Sequence, residues 1–156
     1  MRQLIALLAI ALVTACGFRP VYATGANANY SGPISVEPID GRSGYMLRQA
    51  LQQELAIGLP GVTGSATLTV NLTENLTRLA FKPDGAASRS SVVANGQYVL
   101  SLGGRAIRGR VDTEVSFAVP DAPYGDISSQ TGASDRAMRL LAKRIVDDIR
   151  LKLSAD

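Results

Sequence analysis

Three runs of alternating residues occupy the middle of this 156-residue chain and constrain its fold more than any other feature. Apolar or small residues occur at every second position over residues 66–72, 92–102 and 111–119. This period of two is that of a half-buried β-strand. The alternation of apolar residues breaks at Leu79 and Phe81, which indicates a bulge or strand end near Thr77. The three runs therefore predict three strands of one largely antiparallel sheet, with one side facing water.

Two segments with apolar residues at intervals of three or four predict helices on either side of these strands. The first helix is expected to begin at an N-cap at Ser43 and to end before Gly58 and Pro60. The second is expected to begin at an N-cap at Ser134, after a loop over residues 120–132. Their core-facing positions are Leu47, Ala50, Leu51 and Leu55 in the first helix and Met138, Leu141, Ile145, Ile149 and Leu153 in the second.

A short strand at Ile34 and Val36 precedes the first helix, and residues 82–91 form a polar connection between the first two long strands. The order strand, helix, three strands, helix predicts an α+β fold. We expect a two-layer sandwich, in which two helices pack on one face of a four-stranded, mostly antiparallel sheet. We assign residues 33–156 to this single domain, with Val115 and Phe117 pointing into its core.

The N-terminal segment has the form of an export signal, and Cys16 is the only cysteine of the chain. One arginine precedes a short apolar run, which ends in Val13-Thr14-Ala15-Cys16. The run is shorter than the roughly 20 apolar residues that span a bilayer. The final four residues resemble the lipobox of bacterial lipoproteins. We therefore expect residues 1–15 to be a cleaved signal peptide, Cys16 to carry lipid, and residues 16–32 to form a tether.

The composition argues against most enzyme classes. The chain has no histidine, which removes the commonest general base and the commonest metal ligand. Serine or aspartate chemistry with a lysine base remains formally open, with only three lysines to supply it. Asp147 and Asp148 are adjacent on the predicted last helix and so about 100° apart, which does not make a paired acid site. We expect no catalytic residue, no metal and no cofactor.

Basic residues are concentrated around the last two strands. Arg105, Arg108 and Arg110 follow the Gly103-Gly104 turn, and Lys82 and Arg89 lie in the preceding connection. One interpretation is a solvated, charged edge that prevents sheets from pairing. The other is a basic end of the sheet that contacts a polyanion, such as lipid A phosphates or acidic loops of a partner. Nucleic acid is the least expected ligand, because the export signal directs the domain out of the cytoplasm.

The residues from Cys16 to Tyr22, which read Cys-Gly-Phe-Arg-Pro-Val-Tyr, resemble the start of the mature lipopolysaccharide-assembly lipoproteins, the LptE family. The element order and a closing helix with Ala142 and Ile145 are similar to that family too. The resemblance implies that the chain plugs the β-barrel lipopolysaccharide translocon of the outer membrane. This LptD-like barrel would be its partner. It also implies help in assembling that barrel and contact with lipopolysaccharide.

The resemblance further implies that basic residues at one end of the sheet contact lipopolysaccharide, for which Lys82, Arg89 and Arg105 are the positional candidates. Gly17, rather than aspartate, follows Cys16, which favours the outer membrane over the inner membrane. The polar C-terminal tail of some members is missing. Two other functions stay open: an auxiliary lipoprotein of a lipid-trafficking transporter, and a lipid-anchored periplasmic hydrolase.

Overall fold

The structure, a computed structural model, describes residues 32–155. The predicted signal peptide, Cys16 and the heptad that carries the family resemblance lie outside the described residues. The described elements are β1 (Ile34–Val36), α1 (Gly41–Leu55), β2 (Ala66–Phe81), β3 (Ala87–Leu102), β4 (Arg105–Ala118) and α2 (Pro123–Ser154).

The four strands form one sheet in the order β1-β2-β3-β4. The two long hairpins β2–β3 and β3–β4 are antiparallel, whereas β1 is parallel to β2 over only three residues. We call the end of the sheet at Ala66, Leu102 and Arg105 the base, and the end at the β2–β3 turn, between Phe81 and Ala87, the tip. The predicted α+β sandwich is confirmed, with β1 as its one parallel strand.

Both helices pack on the same face of the sheet, and the core lies between the two layers. Leu47 and Leu51 of α1 and Leu141 and Ile145 of α2 are fully buried. Gly96 of β3 allows α2 to come close, since a Cβ there would lie 3.1 Å from the Ile145 Cδ1 atom. The predicted core stripes are confirmed except at Leu153, and Phe117 is buried at 7% exposure; Leu153 and Val115 are only partly buried.

Several predicted boundaries were wrong, and each error shortened an element. β3 begins at Ala87 and β4 at Arg105, because both strands continue to pair with their neighbours beyond the apolar alternation. α2 begins at Pro123, not after Ser134, so the predicted loop is mostly helix. Proline is favourable at the first position of a helix, where its missing N–H has no partner to lose. Asp40, not Ser43, precedes α1 as its N-cap residue.

The sandwich is elongated along its strands. β2 and β3 each have 16 residues, which span roughly 50 Å at the usual strand rise. α2 has 32 residues and runs a similar length, about 48 Å, along the sheet. Within residues 32–155, no helix combines the length and apolar character needed to cross a membrane. The base and the tip therefore lie roughly 50 Å apart along the strands.

Candidate functional site at the tip of the sheet

The three candidate cations do not lie together. Lys82 directly follows β2 at the tip, and Arg89 pairs with Ala80 and Ala118 there. Arg105 pairs with Leu102 at the base, roughly 40 Å farther along β3 at the usual strand rise. The expectation that Lys82, Arg89 and Arg105 share one end of the sheet was therefore wrong. The β3–β4 turn reverses the chain at the base, whereas the β2–β3 turn lies at the tip.

The tip is not uniformly basic either. Lys82 forms an ion pair with Asp121, which follows β4. Asp84 and Asp126 line the same cavity of about 460 Å³ as Lys82 and Arg78. Among the described residues, the guanidinium groups of Arg78 and Arg89 form no ion pair. Arg89 and Arg78 are thus better placed than Lys82 to receive an anion from outside the chain.

Large apolar side chains are exposed at the same end. Phe81 at the end of β2 is 59% exposed, and Tyr124 in the first turn of α2 is 89% exposed. Leu76, Leu79 and Ile127 are exposed as well. Scattered apolar residues are normal on protein surfaces, but a group of them on neighbouring elements indicates a contact surface. The tip therefore combines apolar side chains with unpaired guanidinium groups.

An open groove of about 450 Å³ lies on the helix side of the sheet, between the start of α1, the first half of α2 and β2. We call it the tip groove. Its apolar lining comes from Met46, Leu76, Val92 and Ile127, and Arg42 supplies a cation. It exists because Leu76 of β2 lies beyond the part of the sheet that α1 covers, so the inner face of β2 stays exposed there.

Glu74 closes the inner end of the tip groove and joins three elements. Its carboxylate accepts hydrogen bonds from Ser43 of α1 and from Ser134 of α2. Ser134 therefore acts as a bridge in the interior of α2, not as the N-cap predicted for it. Glu74 occupies an inward position of β2, so two serine hydroxyls replace the water that its carboxylate would otherwise bind.

A second polar cluster fixes α2 to the base half of the sheet. The Tyr98 hydroxyl donates a hydrogen bond of 2.5 Å to Asp148 Oδ2, and Tyr98 is 2% exposed. Lys152 Nζ donates to the same carboxylate oxygen at 2.8 Å and to the Arg108 carbonyl at 2.9 Å. Gly109 provides the room, since a Cβ there would lie 2.5 Å from both Tyr98 Oη and Lys152 Nζ. We call this group the Tyr98 clasp.

The clasp shifts the ionisation of its members. Burial, supported by the hydrogen bond to Asp148, raises the pKa of Tyr98 to about 12. Burial alone would raise the pKa of Asp148, but the hydrogen bonds from Lys152 and Tyr98 outweigh it and hold that pKa below its ordinary value. The hydrogen bond to Asp148 raises the pKa of Lys152. At neutral pH the Tyr98 phenol is therefore neutral and hydrogen-bonds to the ion pair of Asp148 and Lys152. This arrangement suits a structural role.

Sequence reasoning missed both clusters and the apolar tip. It gave Lys152 no structural partner and treated residues 120–132 as a loop, so Ile127 was not placed beside β2. Pro123 after Asp121 and Ala122 was the available signal, because proline often marks the first turn of a helix. Within residues 32–155, no group of three or more acidic, histidine or cysteine side chains is arranged to hold a metal ion.

The same fold occurs in solved structures of proteins described as lipoproteins. A protein from Caulobacter crescentus described as a lipoprotein superposes with a TM-score of 0.63 and 25% identity, over 79% of this chain and 92% of that one. Rare lipoprotein B from Shewanella oneidensis gives a TM-score of 0.60 at 12% identity, over 80% of this chain and 97% of that one. A minor lipoprotein from Acinetobacter baumannii gives a TM-score of 0.57 at 14% identity, over 77% of this chain and 93% of that one. No curated protein sequence matches the chain.

The family model for lipopolysaccharide assembly, LptE, matches residues 31–153. This chain belongs to the LptE family. The resemblance drawn from the N-terminal heptad is thereby confirmed from a different part of the chain, since the match begins after the heptad. Membership gives the chain a role in lipopolysaccharide assembly and associates it with the outer membrane.

Proposed function

We propose that this domain acts by binding, not by catalysis, as the plug of an LptD-like β-barrel. In this proposal it is held at the outer membrane by lipid on Cys16 and contacts lipopolysaccharide with its tip. The plug proposal is supported mainly by the face of the sheet opposite the helices, which we call the open face. Neither helix lies on it, and the one described hydrogen bond to it from outside the sheet joins Thr69 to Glu37, directly after β1.

The open face is mostly polar, with Val93 and Val99 of β3 as apolar exceptions. Its outward positions are Thr69, Asn71, Thr73 and Asn75 of β2, Asn95, Gln97 and Ser101 of β3, and Arg108, Arg110, Asp112, Glu114 and Ser116 of β4. The lumen of a large outer-membrane barrel is also polar, because its lipid-facing and lumen-facing residues alternate. A long, narrow sandwich with a flat polar face matches such a lumen in shape and chemistry.

Enlarging side chains on the open face tests the plug. Thr73→Tyr with Ser116→Tyr adds bulk at two exposed strand positions, and tyrosine is favourable in strands. Gln49→Tyr with Gln53→Tyr places the same two tyrosines on the exposed side of α1 and is the matched control. We expect the first pair to reduce copurification of the barrel from solubilised outer membranes, with both proteins equally folded. Copurification of an inner-membrane transporter instead of a barrel would contradict the proposal.

Contact with lipopolysaccharide is supported by the composition of the tip. Lipid A offers phosphates and acyl chains, and the tip offers guanidinium groups beside exposed apolar side chains. Charge-assisted hydrogen bonds between arginine and phosphate are short and strong. We expect Arg89 to contribute more than Lys82, whose charge Asp121 already neutralises. Arg105 lies at the base and, in this proposal, makes no contact with the same phosphates.

Binding of purified lipopolysaccharide to single variants tests this assignment. Arg89→Ser should weaken binding, and Arg110→Ser, which removes an exposed arginine of the open face nearer the base, should not. Raised salt should reduce the difference, because screening weakens exposed charge pairs. Equal binding by the two variants at low salt would remove Arg89 from the site.

Lipidation of Cys16 is tested separately by intact mass. Cys16→Ser should leave the leader attached or the protein without an anchor, since alkylation of the thiol precedes cleavage in the lipoprotein route. A processed chain without acyl mass would contradict the anchor while leaving the plug proposal standing.

A further inference from the structure

One edge of the sheet is covered and the other is open. At the β4 edge, cations of α2 donate to outward-facing carbonyl groups: Lys152 to Arg108 and Arg144 to Asp112. Such side chains occupy the groups that another strand would use. Along the β2 edge, β1 pairs with only Ala66, Thr67 and Leu68. From Val70 onward, the edge-facing groups of β2 have no hydrogen-bond partner among the described residues.

The direction of these groups follows from the contacts at the base. The Ala66 N–H donates to the Pro33 carbonyl and the Leu68 carbonyl accepts from Glu37, so even-numbered residues face the β1 side. Backbone groups alternate in direction along a strand, and therefore Leu72, Glu74 and Leu76 present theirs to the open edge. Their side chains point to the helix side, where the tip groove lies.

We propose that the β2 edge from Val70 to Arg78 receives an extended segment of the barrel partner by strand addition. This inference rests on the proposed plug function and identifies one of its contacts. Only a polypeptide supplies N–H and C=O groups at the spacing of this edge, which excludes lipid as the occupant. Strand addition takes its affinity from main-chain hydrogen bonds and its specificity from pockets for alternate side chains.

The tip groove defines the chemistry of the segment. Residues of an added strand that lie opposite Leu72, Glu74 and Leu76 point their side chains to the same face as these residues, into or beside the groove. Met46, Leu76 and Ile127 favour an apolar side chain there. Arg42, which forms no ion pair with a described residue, favours a neighbouring carboxylate. A second copy of this chain fits less well, because Glu74, the one acid of its β2 edge, is already bonded to Ser43 and Ser134.

Hydrogen exchange followed by mass spectrometry tests the proposal on the full chain, free and in the copurified barrel complex. Peptides covering residues 70–78 should exchange roughly tenfold or more slowly in the complex, because bound amides must open before they exchange. Peptides from the start of β4 are the internal reference. A complex without this protection would overturn strand addition and leave the plug intact. Absence of any complex would overturn both.

Equal protection of these peptides in the free chain and in the complex would also overturn the proposal, since the edge-facing amides would then already be bonded within the chain or to a second copy. A substitution gives an independent readout. Leu76→Pro removes one edge-facing N–H at an exposed position, and proline is tolerated at strand edges. Leu76→Ala removes the side chain but keeps the N–H. Leu76→Pro should copurify less barrel than Leu76→Ala; equal amounts from two folded variants would contradict strand addition.

Discussion

The base and the tip of this sheet have the same strands but different surroundings. At the base, both helices cover the sheet, Leu68 and Leu100 are fully buried, and the Tyr98 clasp ties α2 to β3 and β4. At the tip, β2 extends beyond α1, and Leu79 and Phe81 remain exposed. The comparison shows that β2 stabilises the domain over its base half and is exposed over its tip half, whereas β3 and β4 keep buried residues such as Val92 and Phe117 near the tip.

The same division explains why the cations were misassigned. Positive charge occurs at both ends, but at the base Lys152 serves the fold through Asp148, whereas Arg78 and Arg89 at the tip have no carboxylate partner in the described chain. Charge alone therefore does not mark the contact surface. In the proposed function, the combination of an unpaired cation with an exposed apolar neighbour marks it.

The largest expected difference between base and tip is in core truncation. Leu100→Ala at the base should lower the free energy of unfolding by about 2–5 kcal/mol, because it leaves a cavity among fully buried residues. Leu79→Ala makes the same chemical change at the exposed tip and should cost no more than about 0.5 kcal/mol. Denaturation in guanidinium measures both, and similar losses would show that the tip is packed as well as the base.

A smaller loss is expected from filling the space at Gly109. Gly109→Ala would force Tyr98, Asp148 and Lys152 apart and should cost about 1–3 kcal/mol. Gly64→Ala is the matched control, since no atom lies within 4 Å of a Cβ there. Thermal unfolding compares the two. An unchanged melting temperature for Gly109→Ala would mean that the clasp does not hold α2.

The clasp also predicts a dependence of stability on alkaline pH. The folded-state pKa of Tyr98 is about 12, above the ordinary value of 10, so its contribution is complete below pH 10 and is lost as pH rises toward 12. At pH 11 the loss should reach about 1.4 kcal/mol relative to Tyr98→Phe, which lacks the ionising hydroxyl. If the free energy of unfolding changed with pH in the same way in both proteins, burial of the Tyr98 hydroxyl would not contribute to stability, which would contradict the clasp.

The smallest effect on stability is expected at the covered edge. Arg144→Gln removes the guanidinium that donates to the Asp112 carbonyl and should cost under about 1 kcal/mol. It should also increase self-association, because it uncovers part of the β4 edge. Arg139→Gln breaks an exposed ion pair with Asp135 away from that edge and is the control. Light scattering of both variants distinguishes edge protection from a general effect of lost charge.

The sequence allowed the base to be predicted because burial there is regular. Alternation in the strands and intervals of three or four in the helices correctly placed Leu47, Leu100 and Ile145 in the core. The ends of the elements were less predictable, because β3 and β4 continue to pair through residues without an apolar pattern. Local signals fix an apolar face more reliably than a boundary.

The tip and the two polar clusters depended on contacts between distant parts of the chain. Tyr98 and Asp148 are 50 residues apart, and Glu74 and Ser134 are 60 residues apart. No local pattern connects such residues, since their approach follows from sheet register and helix position together. The same holds for Leu76 and Ile127, which line the tip groove together although they are 51 residues apart.

The most direct test of the division between base and tip measures stability and binding on the same proteins. Leu79→Ser with Phe81→Ser makes the exposed tip polar, and Leu140→Ser with Leu151→Ser does the same to two exposed apolar residues of α2. The tip variant should unfold at the same denaturant concentration as the control and bind much less lipopolysaccharide. Equal binding by the two variants, or a loss of stability comparable to that of Leu100→Ala, would contradict the account.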